Sequence, residues 1–135
     1  MIQRIQTIWL LLASLCGFAS LKFPFFISSI ALAPAVDLTA MSNTLLMIVT
    51  VAAAIVALIT IFLYGNRKLQ IKLGSAGSIA SILAIILYFV EMKNYSSGGV
   101  ALFSVFSFAV PVFYILALRG IYKDEKLVRS SDRLR

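Results

Sequence analysis

Few side chains in this 135-residue sequence are equipped for chemistry. There is no His, which removes the common general base at neutral pH and the common nitrogen ligand for zinc. The single Cys, Cys16, lies between Leu15 and Gly17, so no base or positive charge stands beside it to produce a thiolate. Cys16 therefore reads as a packing residue, and one Cys excludes an internal disulfide. Asp37 and Glu91 are the only acids outside the last stretch of chain, and Lys93 close by marks Glu91 as an interfacial anchor. An acid deep in an apolar run would be a functional site by default; none is present. No Gly-rich phosphate loop, pair of catalytic carboxylates or metal-ligand cluster occurs. The sequence thus assigns no catalytic, cofactor-binding or metal-ligating residue, implies no cofactor, and leads us to expect a protein that is not an enzyme. Eight polar residues interrupt the apolar runs: Ser14, Ser20, Thr50, Thr60, Ser78, Ser81, Ser104 and Ser107. They are expected to hydrogen-bond between helices rather than to line a substrate path.

The elements that must hold these residues follow from composition. The chain is 61% hydrophobic and 13% charged, against about 45–50% and about 25% in an ordinary soluble domain. A core of this size cannot hide so much apolar surface, so lipid is the expected solvent. The net charge of +7 does not point to nucleic acid, because the basic residues flank apolar runs. There they would meet anionic headgroups, at about 1 kcal/mol each.

The expected fold is an all-α membrane protein, a single four-helix transmembrane bundle over residues 1–135 with a charged cytoplasmic C-terminal tail. Its spans are 5–26, 44–64, 71–90 and 100–118, followed by the tail, 119–135. In the first span Phe23, Phe25 and Phe26 extend a short apolar run to the length that crosses about 30 Å of hydrocarbon, and Trp9 lies near an aromatic belt. A signal peptide is not expected, since the small-residue site Ala31-Leu32-Ala33 is far from that run and is followed by Pro34. The longest loop, 27–43, ends in Ser42 and Asn43, either of which can cap the second helix. Gly65-Asn66 stops that helix. Pro111 should bend the fourth, because the Ser107 carbonyl loses its donor.

Short loops rich in Lys and Arg stay in the cytoplasm. With the N-terminus inside, the inner side holds Arg4, Arg67, Lys68, Lys72, Arg119, Lys123, Lys126, Arg129, Arg133 and Arg135, and the outer side only Lys22 and Lys93. Both ends are therefore expected in the cytoplasm. Helices in lipid associate through close backbone approach at small residues. Small residues four apart occur as Ala13 with Gly17, Ala53 with Ala57, Gly74 with Ser78 and Gly77 with Ser81. The doubled set in the third span is expected to place that helix centrally. In the tail, Leu118, Ile121, Tyr122, Glu125 and Val128 follow helical spacing, so the last helix continues beyond its apolar run. Glu125 and Arg129 are placed for an i,i+4 ion pair.

The opening Met1-Ile2-Gln3-Arg4-Ile5-Gln6-Thr7, the segment Arg67-Lys68-Leu69-Gln70-Ile71 and the closing run from Arg119 to Arg135 (RGIYKDEKLVRSSDRLR) carry a likeness. With them the chain resembles a bacterial domain-of-unknown-function family of small four-span integral membrane proteins. The resemblance implies a bacterial inner membrane and four helices, and it brings no catalytic residues.

These features lead to a non-enzymatic scaffold or accessory subunit as the expected role. Its partners would be anionic lipid headgroups and either another membrane protein or a second copy of itself, with no nucleic acid. The alternative is a small oligomeric transporter or channel. Orientation is directly testable: cysteines placed at Asp37 and Ser97 should react with a membrane-impermeant thiol reagent in intact cells, and ones at Asn66 and Ser131 should not. Labelling of the second pair would overturn the arrangement with both ends inside.

Overall fold

A computed structural model describes residues 3–28, 37–95 and 98–134, the side chains of Gln3 and Arg4 excepted. The site Ala31-Leu32-Ala33, Pro34 and Ser97 lie outside the described residues. Helix α1 spans Gln3–Lys22, α2 Thr44–Phe62, α3 Arg67–Met92 and α4 Val105–Arg133. All four are long and apolar enough to cross a membrane. Three short strands, β1 (Phe26–Ile27), β2 (Asp37–Leu38) and β3 (Gly99–Val100), form an antiparallel sheet of order β2-β1-β3. Single 3₁₀ turns at Ala40–Ser42 and Leu102–Ser104 lead into α2 and α4.

Three boundaries differ from expectation for identifiable reasons. The first helix stops at Lys22, not at 26. Pro24 disfavours helical backbone at Phe23, and the aromatic residues turn into a cap instead. There Phe25 N–H donates to the Leu38 carbonyl at 2.8 Å, and Ala101 N–H donates to the Phe25 carbonyl at 2.9 Å. Residues 100–104 likewise lie ahead of α4, in β3 and the 3₁₀ turn at Leu102–Ser104. Gly98 is shaped by the same strand pairing: its φ is +151°, and a Cβ there would run into the Ile27 carbonyl. At the other end of α3 the helix begins at Arg67, earlier than its apolar run, because the Asn66 side chain caps it by accepting from Leu69 N–H at 3.3 Å. Asn43 caps α2 in the same way, accepting from Leu45 N–H at 2.9 Å.

The helices pack as an antiparallel ring in chain order, with α4 closing on α1. Gly17 meets Ala54, Gly77 meets Tyr114 and Gly74 meets Leu118. No helix is central, which corrects the expectation for α3. Its small-residue face is buried as expected: Gly74, Gly77, Ser78 and Ser81 all point inward. The same is true of Ala13, Ala53 and Ala57. Small and polar residues fill the interior, while Ile8, Leu15, Ile48, Ile59, Ile79 and Ile86 face outward. That arrangement suits a lipid solvent, where association rests on close approach and not on apolar burial.

Two aromatic groups close the bundle. At the cap end Phe25 stacks on Tyr88 at 4.2 Å between ring centroids, inside a cluster with Phe26, Leu38, Leu46 and Ala84. Farther down, Leu10, Ala13, Ala57, Val110, Tyr114 and Ala117 pack together, and Trp9 stacks on Phe113 at 5.7 Å. Pro111 lies buried within α4, which remains helical on both sides of it.

A Cβ at Gly77 would stand 2.5 Å from the Tyr114 ring, whose hydroxyl is already bonded across the bundle. At Gly74 the obstacle is the tip of Leu118, 2.8 Å away and free to rotate. Gly77→Ala should therefore destabilise the bundle by about 1–3 kcal/mol, the usual overpacking range, and Gly74→Ala by clearly less. Thermal unfolding of both variants in detergent measures the difference, and equal melting temperatures would contradict the packing described.

Candidate functional site

The end of the bundle that carries both termini holds its main polar cluster. Helix α4 buries Ser107, Val110, Pro111, Tyr114, Ala117, Ile121 and Asp124 along one stripe. The first five lie in the apolar run; the last two carry the same face into the charged tail. Asp124 is 7% exposed. Its Oδ2 accepts from the Gln6 side-chain amide of α1, and its backbone carbonyl accepts from Arg67 Nη1 of α3 at 3.4 Å. Alongside, Gln70 Nε2 donates to the Thr60 carbonyl at 3.2 Å and ties α3 to α2. Gln6, Thr7, Tyr64, Arg67, Gln70, Ile121 and Asp124 surround a space of about 20 Å³.

Beside this lock the tail stands away from the helices as a rod. A groove of about 610 Å³ separates it from the α2–α3 turn, lined by Tyr64, Arg67, Lys68, Glu125, Val128 and Arg129 among others. Glu125 and Arg129 form the expected i,i+4 pair at 2.8 Å. Lys123, Lys126, Ser130, Asp132 and Arg133 are exposed. The buried stripe of the tail is Ile121 and Asp124; Tyr122 and Val128, expected on it, are exposed.

Inside the spans, all eight polar residues singled out in the sequence are buried. Four of them do not bridge helices. Ser20 Oγ donates to the Gly17 carbonyl at 2.7 Å, Thr50 Oγ1 to Leu46 at 2.8 Å, Thr60 Oγ1 to Val56 at 2.6 Å and Ser81 Oγ to Ser78 at 2.7 Å. Each is a carbonyl of the residue's own helix. Residues read otherwise or not singled out make the bridges: Gln6 to Asp124, Gln70 to Thr60, the Tyr114 hydroxyl to the Ala53 carbonyl, and Asn43 to Glu91. Glu91 is therefore more than an interfacial anchor. It joins the α2 cap to the end of α3 and also accepts from Asn94 Nδ2 at 3.2 Å. Asp37 stands exposed in β2, and Cys16 is half-buried and free. Ser20, Thr50, Ser81 and Ser107 come together with Tyr88 around a second small space of about 20 Å³; Ser14, Ser78 and Ser104 lie away from it. Among the described residues no three His, Cys, Asp or Glu side chains gather as a metal site requires.

Compared with known sequences, residues 2–134 match the model of a family described as Domain of unknown function (DUF4293). No curated protein and no solved structure matches the chain.

The Asp124 lock makes a graded prediction. Asp124→Ala leaves the Gln6 amide buried without its acceptor, at a cost of about 1–3 kcal/mol. Asp124→Asn keeps a carbonyl oxygen for that bond and should lose much less. Melting temperature in detergent and the protease sensitivity of residues 119–134 together measure this. Equal behaviour of Asp124→Ala and wild type would show that the tail is not held through this carboxylate.

Proposed function

The chain belongs to the DUF4293 family, and from that premise we propose that it serves as a non-enzymatic scaffold or accessory subunit of a bacterial inner membrane. Both ends lie in the cytoplasm in this reading, and the tail is the working surface. The observation that carries it is the tail's construction. Helix α4 has 29 residues, about 44 Å at 1.5 Å each, against a hydrocarbon core of about 30 Å. The surplus is not a loose anchor: Asp124 fixes it to α1 and α3, and its charges project at set angles. Five basic residues from Lys123 onward alternate with Asp124, Glu125 and Asp132. With Asp124 turned inward, the exposed face still mixes both signs. A pure lipid anchor needs only positive charge, whereas mixed signs at fixed positions suit a complementary protein surface, with lipid headgroups meeting Arg67 and Lys68 nearby.

An oligomeric transporter or channel is the second reading, and the hydroxyl-lined space between the spans is what favours it. At about 20 Å³ that space admits roughly one water. A pathway would have to form between copies of the chain.

Reversing Glu125 and Asp132 to Lys should impair function and leave insertion intact. The readout is complementation of a deletion strain by the reversed protein and by wild type at equal membrane abundance. Complementation to the wild-type level would reduce the tail to an orientation signal and lipid anchor. Cross-linking from native membranes then separates the two readings: one stoichiometric partner favours the accessory role, and a homo-oligomer alone favours transport.

A further inference from the structure

We infer that the four spans together line a binding site for a single water molecule, held between the Tyr88 hydroxyl and the hydroxyl oxygens of Ser20, Thr50 and Ser81. The inference is independent of the role assigned to the tail. Tyr88 is 1% exposed, and its hydroxyl is fully buried without a hydrogen bond of standard geometry. The hydroxyls of Ser107, Ser20 and Thr50 lie within reach of it, none of them at the geometry of a hydrogen bond. A buried hydroxyl left without a partner is expensive, and much more so in a membrane interior, where no bulk water can relieve it.

The count of donors and acceptors says what is needed. A Ser or Thr hydroxyl has one hydrogen to donate. Ser20, Thr50 and Ser81 have each given theirs to a carbonyl of their own helix, so toward the cavity they present only lone pairs. Three acceptors thus face one free phenolic donor and Ser107. A water supplies two donors and two lone pairs. It can donate to two of the three oxygens and accept from Tyr88, which satisfies the phenol and gives the water three partners. The space of about 20 Å³ exceeds the roughly 10–15 Å³ that one water requires, and two to four polar partners is the usual complement of a buried water.

The lining selects against other occupants. Residues from all four helices form it, none of them charged. A cation would lose its hydration with no carboxylate in return, and an apolar guest would leave Tyr88 unpaired. The fold also explains why the phenol points here. Phe25 of the cap lies flat on the Tyr88 ring, 12° from parallel. The ring is held from the cap side and its hydroxyl is directed into the bundle, where Gly17, Ala53 and Ala84 leave room.

Two measurements test the site. The first is the melting temperature of Tyr88→Phe, Ser81→Ala and the double variant in lipid nanodiscs. Ser81 and Tyr88 line the same space with no direct hydrogen bond between them, so the water is what should couple them. Each single change should lower the melting temperature by a few degrees, and the double change by less than the sum. A rise for Tyr88→Phe, as expected when an unsatisfied hydroxyl is simply removed, or strict additivity, would overturn the proposal. The second is a lipid-phase crystal structure of the wild-type protein at a resolution that shows waters, which decides the matter even if a variant fails to fold. A water within hydrogen-bond distance of Tyr88 Oη and two of the named oxygens is expected. A dry cavity with Tyr88 bonded directly to Ser107 would overturn it.

Discussion

The contact on which the packing most depends is the Tyr114 hydroxyl reaching the Ala53 carbonyl. It links α4 to α2 across the ring, and the ring passes over Gly77 of α3 because that residue has no side chain. Lipid gives almost no reward for pressing Leu against Leu, so helices in a bilayer hold together where backbones approach closely and polar groups find partners. One aromatic residue here meets both conditions. Gly17 against Ala54 and the buried Ala13, Ala53 and Ala57 then follow as the consequence of bringing the other faces equally close.

Polar bridges occupy three levels along the bundle. At the end with the termini, Gln6 holds Asp124 and Gln70 holds the Thr60 carbonyl. Near the middle is Tyr114, and toward the cap Asn43 holds Glu91. All but the Gln70–Thr60 bridge join residues far apart in sequence. Ser20, Thr50, Thr60 and Ser81 between them give their hydrogens to carbonyls of their own helices, which lowers the polarity cost of the interior. Among the described residues, the buried side-chain group that this scheme leaves over is the Tyr88 hydroxyl.

Much of the architecture was legible in the sequence because hydropathy and charge are strong signals in lipid. The four apolar runs, the Asn43 cap, the inward small-residue faces and the Glu125–Arg129 pair all correspond to local rules. What escaped is non-local. The β1–β2–β3 cap consists of two-residue strands, too short for an alternation pattern, and its partners lie more than seventy residues apart at Phe26 and Val100. Asp124 was read as tail charge because a carboxylate at a stripe position carries no sign of being buried; only Gln6, at the opposite end of the chain, explains it. The ring arrangement escaped as well, since Gly77 and Ser81 say that something comes close but not what. A cue existed for the tail: the spacing Tyr114, Ala117, Ile121, Asp124 continues the inner face of α4 without a break.

Because α4 runs from the cap to Arg133 as a single helix and is clamped at Asp124, the chain offers a stiff handle outside the lipid. At 14.8 kDa the protein is too small to align easily in electron micrographs. A helical fusion partner joined in register after Arg133 would inherit a fixed orientation relative to the spans, where a flexible linker would let it swing. The same stiffness works in the opposite direction. A bulky tag attached without regard to helical phase would press against the α2–α3 turn, so the length of the junction, counted in residues per turn, becomes a design variable for imaging this bundle.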